Sequence, residues 1–332
     1  MKALILAPFW PSVLERLKQS LEVIYESWTD TRRLVPPEEL VDRIQKQDIE
    51  VVVVEADFVL REVFEKATKL KLVGACRGNV TQVDIAAATE HGVLVVNTPA
   101  RNAIAVAELT VGLMLALVRN IPAAHQMVTS GGWVDPTAPY FSLRGTELAG
   151  KTIGIVAFGA IGQQVAKRLN AFETSILIYD PYVAPEKIKE VGARAVELDE
   201  LMRQSDFVTI HCPSVPETMG LLSAQRIALM KPTAYLVNTA SAAVVDREAI
   251  TKALREGRIA GAAFDVYQTW PVQPEDPLLK LDNVILTPHI GGATDETVAR
   301  HSLMMAEDIE RFVRGQRPKN MLNPQVWDRV VR

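Results

Sequence analysis

Cysteine is nearly absent from this chain: 332 residues hold two, Cys76 and Cys212, far apart and each inside an apolar stretch. That scarcity leaves no disulfide framework and no thiolate metal centre, and no metal site is expected. Buried packing thiols in a reducing cytosol are the expectation. An excess of one charge sign is also missing. The net charge is −4 with a pI near 5.8, and no block of like charges interrupts the chain. Nucleic acid and anionic membrane are therefore poor partners for it. Long hydrophobic runs are lacking too. The longest, Val111 to Val118, is too short to span a bilayer, and Met1-Lys2 leads straight into a strand-like run rather than a leader. A soluble, cytoplasmic protein is expected.

What the chain does have is apolar material, 48% of its residues, enough for buried parallel sheets. Its length favours two domains over one. Short β-rich runs alternate with helical stretches. The first hundred residues offer strands at Ala3–Ala7, Val23–Glu26, Val51–Val54, Leu72–Ala75 and Val93–Asn97. Helical patterns such as Val13–Ser20 and Glu38–Gln47 fall between them, the second opened by Pro36-Pro37. A longer helix is expected over about Ala103 to Leu117. From Lys151 the alternation restarts, with strands at Thr152–Ala157, Ser175–Asp180, Ala193–Val196, Phe207–Cys212, Ala234–Asn238, Ala260–Asp265 and Val284–Thr287. Helices Ile161–Asn170, Leu198–Arg203 and Asp246–Arg255 separate them, with Asp246 as N-cap, and a helix from about Asp295 to Arg314 closes the pattern. The fold class is α/β, with doubly wound parallel sheets. Between Asn120 and Leu148 lies a polar, irregular stretch containing Trp133, Tyr140 and Phe141. A segment of that length suggests packing against a second subunit, or a plain surface excursion.

The strand Thr152–Ala157 runs through Phe158, Gly159, Ala160, Ile161 and Gly162 into a helix, the context in which a glycine fingerprint carries weight. Such a turn brings backbone close to a pyrophosphate and points helix N-terminal N–H groups at its charge. Gly159 stands where a side chain would most obstruct the phosphates, and Gly162 allows close packing of helix on strand. Ala157 replaces the first glycine, which is tolerable if its φ is negative. Asp180 ends the next strand 18 residues past Gly162. A carboxylate there accepts from ribose hydroxyls and repels a 2′-phosphate, and Pro181-Tyr182 bring no cation, so NAD is expected rather than NADP. The bland alternative is a structural glycine turn beside an unrelated aspartate.

Further motifs occur in a fixed order. They are Asn97-Thr98-Pro99-Ala100-Arg101-Asn102-Ala103, Asp180-Pro181, His211-Cys212-Pro213 with Thr218, and Met230-Lys231-Pro232. After these come Asn238-Thr239-Ala240, Gly261-Ala262-Ala263-Phe264-Asp265-Val266 and Thr287-Pro288-His289-Ile290-Gly291-Gly292. With these the chain resembles the D-isomer-specific 2-hydroxyacid dehydrogenases, the family of phosphoglycerate dehydrogenase and glyoxylate/hydroxypyruvate reductase. The resemblance implies a Rossmann NAD-binding domain, residues 102–292, inserted in a discontinuous flavodoxin-like substrate domain, residues 1–101 and 293–332. It implies a cleft for a small 2-hydroxy or 2-keto acid, and a homodimer built on the NAD domain. Cofactor contacts are implied at Phe158, Gly159, Ala160, Ile161, Gly162, Asp180, Pro181, Cys212, Pro213, Thr218, Thr239, Ala240, Asp265, His289 and Gly291. Asp265 would bond the nicotinamide carboxamide, although a strand-end cap is its plainer reading. Arg77, Gly78 and Asn79 match the loop that receives the substrate carboxylate.

In that family a histidine donates the proton as hydride arrives, a glutamate supports the histidine, and an arginine holds the substrate carboxylate. His289 matches the histidine. Ser241 stands at the arginine position and Trp270 at the glutamate position, with Gln268 two places too early to serve. Losing a charge-assisted bond worth about 1.5–3 kcal/mol should cost roughly 10- to 200-fold in rate. Without the glutamate, the His289 pKa should sit near about 6.5, or lower if buried. Arg77 is a candidate substitute cation; a solvated or structurally paired arginine is the alternative. Trp270 would either line the cleft or serve packing. Two functions follow: an NAD-dependent oxidoreductase of 2-hydroxy acids, altered in substrate or rate, or an NAD(H)-holding relative acting as a redox-responsive binding protein.

Overall fold

The computed structural model describes residues 1–330 and divides into two compact units, Met1–Arg101 joined by the stretch from Thr294, and Asn102–Ala293. Each is a parallel sheet covered by helices on both faces.

The first unit has strands β1 (Lys2–Ile5), β2 (Glu22–Tyr25), β3 (Val51–Val54), β4 (Leu72–Ala75) and β5 (Leu94–Asn97), in the order β2-β1-β3-β4-β5. Every neighbouring pair is parallel. All four valines of β3 are fully buried, alternating between two cores as period-2 geometry requires. Val52 and Val54 pack with Leu40, Ile44 and Phe64, while Val51 and Val53 pack with Leu17, Met305 and Ile309. Met305 and Ile309 lie on the helix Asp295–Val313, which recruits the C-terminal stretch into this unit. A Cβ on Gly74 of β4 would come within 2.4 Å of the Met305 sulfur, so that glycine permits the close approach of helix to strand. Arg16 grips Glu310 with two hydrogen bonds of 2.8 and 2.7 Å on the same face. The tail then returns to β5: Leu322 N–H donates to Val95 O at 2.8 Å, and Asn97 N–H donates to Asn320 O at 3.0 Å.

The second unit carries β6 (Thr152–Val156), β7 (Ser175–Tyr179), β8 (Arg194–Ala195), β9 (Phe207–Ile210), β10 (Tyr235–Asn238), β11 (Gly261–Phe264) and β12 (Val284–Leu286). Their order is β12-β11-β10-β9-β6-β7-β8, again all parallel. The strand order reverses at β6, whose two neighbours are β7 and β9. That is the switch point where ligands of doubly wound sheets bind, outside the carboxyl ends of the strands. The helix Ala103–Val118 buries most of its residues against this sheet; among the described residues no single helix is long and apolar enough to cross a membrane.

Strand expectations agree with the observed elements to within a residue or two at their ends. Asp246 caps the helix Arg247–Arg255, accepting from Ala249 N–H at 3.0 Å, and Pro37 opens the helix Pro37–Gln47. The stretch after Asn120 is less irregular than its composition suggests. It contains helices Ile121–Thr129 and Ala138–Ser142, each with a proline in its first turn, where the missing N–H is harmless. Both cysteines are buried and unpaired, and burial raises both thiol pKa values, that of Cys212 to about 11.

Candidate active site

Because every strand of the second sheet is parallel, the segments that follow them leave from one edge. Residues 157–162 follow β6, Asp180 follows β7, His211–Pro213 follow β9, Thr239–Ser241 follow β10, Asp265–Trp270 follow β11, and His289–Gly291 follow β12. Residues scattered over the 135 positions from 157 to 291 thus gather by topology alone.

The glycine turn opens the helix Ala160–Asn170, and Gly159 is its N-cap. A Cβ built on Gly159 meets nothing within 4 Å, so the space above it is open at the exposed N-terminus of a helix. A Cβ on Gly162 would lie 2.4 Å from the Ala157 carbonyl oxygen, which is why the helix can approach its strand so closely. Ala157 departs from the expectation: its φ is +75°, not negative. The turn needs a left-handed residue there whatever the side chain, and alanine carries the steric cost of it. Asp180 holds the turn from the side. One carboxylate oxygen accepts the Phe158 N–H and the other the Tyr182 N–H, each at 2.8 Å. Each oxygen keeps a lone pair for a further donor. An open glycine cradle, unused helix N–H groups and a neighbouring carboxylate fit a dinucleotide.

Around this turn, short polar contacts shape the other loops. Thr218 Oγ1 donates to Pro213 O at 2.6 Å and accepts from Val215 N–H at 3.0 Å, closing the loop after Cys212. Thr239 is buried with its hydroxyl 3.0 Å from that of Thr110. The fully buried Asn238 clamps the next turn, its Oδ1 accepting from Ala240 and Ser241 N–H and its Nδ2 donating to Ser241 O. The Ser241 hydroxyl accepts from Ala243 N–H at 3.3 Å and caps a short 3₁₀ turn. It supplies no positive charge.

Asp265, 1% exposed, is the staple of the histidine loop. One oxygen accepts from Thr287 Oγ1 at 2.6 Å and from Ile290 N–H at 2.9 Å; the other accepts from Gly291 N–H at 2.8 Å. His289 stands within that span, exposed, with φ +56°. A left-handed conformation at a residue other than glycine is costly and persists where the surroundings impose it, as this carboxylate does. Trp270 meets the histidine ring, with centroids 4.1 Å apart and planes inclined by 63°. The indole N–H donates to Tyr267 O at 3.1 Å, and the Tyr267 hydroxyl donates to Thr287 O at 2.8 Å. Gln268 is exposed. Asn238 and Thr287 stand inside the motifs but were assigned no role from the sequence, and Tyr267 lies outside them, flagged only by its place directly after Asp265-Val266.

Arg77, Gly78 and Asn79 lie in the first unit, where they follow β4 at the carboxyl edge of its sheet, all three exposed. Gly78 O accepts from Asn97 Nδ2 at 2.9 Å, and Arg77 O from Thr98 N–H at 3.1 Å. Crowding by surrounding protein lowers the Arg77 pKa, Glu55 opposes that, and Arg101 adds to it. Arg101 itself pairs with Glu55 at 2.6 Å and lies 2.7 Å from His301 Nδ1, both in the same unit.

Comparison with known proteins agrees with this architecture. The model of the D-isomer specific 2-hydroxyacid dehydrogenase NAD binding domain matches residues 111–291. The chain is 42% identical over 287 residues to D-3-phosphoglycerate dehydrogenase of Methanocaldococcus jannaschii, covering 86% of this chain and 53% of that protein. It is 40% identical over 321 residues to glyoxylate reductase of Thermofilum pendens, covering 94% of this chain and 91% of that one. Among solved structures, the TT0316 protein of Thermus thermophilus superposes with a TM-score of 0.85 at 33% identity, covering 97% and 100% of the two chains. The protein belongs to the D-isomer specific 2-hydroxyacid dehydrogenase family, and its second unit is the family's NAD-binding domain. It spans about half the length of the phosphoglycerate dehydrogenase it matches, and nearly all of the glyoxylate reductase.

Proposed function

We propose that this protein is an NAD-dependent oxidoreductase that interconverts a small 2-hydroxy acid and its 2-keto acid. The observation that carries the reading is His289, held in a strained backbone conformation by Asp265 at the same sheet edge as an open glycine cradle. NADH, when bound, supplies the hydride for the carbonyl carbon. His289 holds a proton on its imidazole and passes it to the carbonyl oxygen, and takes it back in the reverse direction. The turn 157–162 and Asp180 seat the dinucleotide, and the carboxylate favours NAD over NADP. The loop of Cys212, Pro213 and Thr218, and the turn of Thr239 and Ala240, complete its walls. Asp265 contributes chiefly by ordering the histidine loop, since three protein donors already occupy its oxygens. Ser241 brings no cation for the substrate carboxylate, so that role falls to the loop of Arg77, Gly78 and Asn79, as the family resemblance implies.

The same reading includes a homodimer. Ile121, Val128, Trp133, Val134, Tyr140 and Phe141 expose a cluster of large apolar side chains on one stretch of the NAD-binding unit, Val134 at 85% and Phe141 at 74%. Exposed apolar surface of this kind favours a second copy of the chain. Two unpaired buried thiols suit a reducing, cytoplasmic setting.

The test follows NADH absorbance with glyoxylate, hydroxypyruvate, pyruvate and longer keto acids. Oxidation by the natural chain that disappears in His289→Ala supports the enzyme. Turnover that appears only when Ser241→Arg and Trp270→Glu are combined overturns it, in favour of an NAD(H)-binding relative with lost catalysis.

A further inference from the structure

We propose that Trp270 is a positioning residue for His289, holding the imidazole and favouring its protonated form by cation–π attraction in place of the missing carboxylate. The inference rests on His289 as the proton donor of the proposed reaction. The geometry supplies the contact. The rings meet in an edge-to-face arrangement, their planes inclined by 63° and their centroids 4.1 Å apart, inside the about 6 Å over which an aromatic ring attracts a cation, and tryptophan is the strongest such partner. The indole is not free to turn away. Its N–H is tied to Tyr267 O at 3.1 Å, and the Tyr267 hydroxyl is tied to Thr287 O, two residues before the histidine. The His289 N–H also donates to Thr287 O, at 2.9 Å, so Tyr267 links the carbonyl that holds the indole to the backbone that carries the histidine.

Three titratable side chains on the elements beside the pair are engaged with other groups. Asp265, directly after β11, accepts from Thr287, Ile290 and Gly291. Tyr267 stays neutral, its pKa pushed to about 12 by burial and by Asp265. Glu108, on the helix Ala103–Val118 that packs beside Gly291, is paired with Arg168 at 2.7 Å. Replacing Trp270 alters none of these groups.

An aromatic neighbour acts on a histidine in two opposite ways. It removes water, which lowers the pKa, and it offers a negative ring face to the cation, which raises it. The sign of the change on substitution therefore separates a supporting role from plain packing. The indole is 59% exposed, so its replacement opens no core.

The experiment is an NMR titration of the histidine rings in the full chain without ligand, with the His289 signal identified among five histidines by its loss in His289→Gln. Trp270→Leu keeps apolar bulk and removes the ring face; the His289 midpoint should fall by about half a pH unit. Trp270→Phe should restore most of that loss, and Trp270→Glu should lift the midpoint above that of the natural chain. An unchanged or raised midpoint in Trp270→Leu overturns the proposal, as does a Trp270→Phe midpoint no higher than that of Trp270→Leu. The titration is read without turnover, so an inactive chain with the stated shifts would sink the proposed reaction and leave this inference standing.

Discussion

The Asp265 carboxylate and the Gly291 backbone are in such close contact that a single methyl group added to the glycine would lie 2.9 Å from Oδ2, the atom that accepts the Gly291 N–H. The carboxylate cannot retreat without releasing Thr287 and Ile290, to which its other oxygen is bonded. Gly291→Ala should therefore displace the histidine loop, costing about 1–3 kcal/mol of stability and at least about tenfold in turnover. Denaturant unfolding alongside NADH oxidation checks both; a Gly291→Ala chain with natural turnover would show that the loop tolerates the shift.

Asp265→Asn probes the same contact from the other side. Both carboxylate oxygens accept from donors, so either orientation of an amide sets an NH₂ against an N–H or hydroxyl. A loss of about 2–4 kcal/mol is expected, with a larger fall in kcat than in KM. Unfolding midpoints and steady-state kinetics decide it.

Ala157 sits at φ +75°, where glycine has no steric penalty. Ala157→Gly should raise stability by up to about 1 kcal/mol, the relief of strain being partly offset by the greater freedom of glycine in the unfolded chain. An unfolding curve shifted to lower denaturant would contradict the strain.

Asp180 bridges the glycine turn and the Tyr182 N–H with separate oxygens. An asparagine can satisfy one of those donors and not both. Asp180→Asn should weaken NAD binding about tenfold and narrow the preference over NADP, since the repelling charge is gone. Calorimetry with each nucleotide measures this directly, and an unaltered NAD affinity would remove Asp180 from the site.

His211 is buried, its Nε2 paired with Thr209 Oγ1 at 3.0 Å and its Nδ1 without a partner, and burial pulls its pKa down to about 3. Below about 6.5 the unfolded chain takes up a proton that the folded chain refuses. Stability is therefore fully present above about pH 6.5 and declines as pH falls toward about 3, by at most roughly 5 kcal/mol. Carboxylates add losses of their own in that range, so the comparison is with His211→Gln, whose stability should fall less steeply between pH 6.5 and 4. Parallel slopes for the two chains would mean that the imidazole is not kept neutral.

The strands were legible because parallel strands covered on both faces are nearly continuous apolar runs, of which Val51–Val54 is the plainest. The cofactor turn was legible because glycine at 159 and 162 and a carboxylate at 180 answer separate physical demands at a fixed spacing. The helices after Asn120 were obscured by the glycines, prolines and polar residues around them, which read as loop when no tertiary contact is in view.

From the sequence alone come the alternation of elements, the glycine turn, the family likeness and the loss of arginine and glutamate at 241 and 270, because each depends on residue identity and local spacing. Only the tertiary structure decided that Ala157 is left-handed, that the tail after Asn320 pairs with β5, and that Trp270 lies against His289. Those facts are set by which distant strands pair and where their loops end, and chain order alone does not encode the distance between two side chains 19 residues apart.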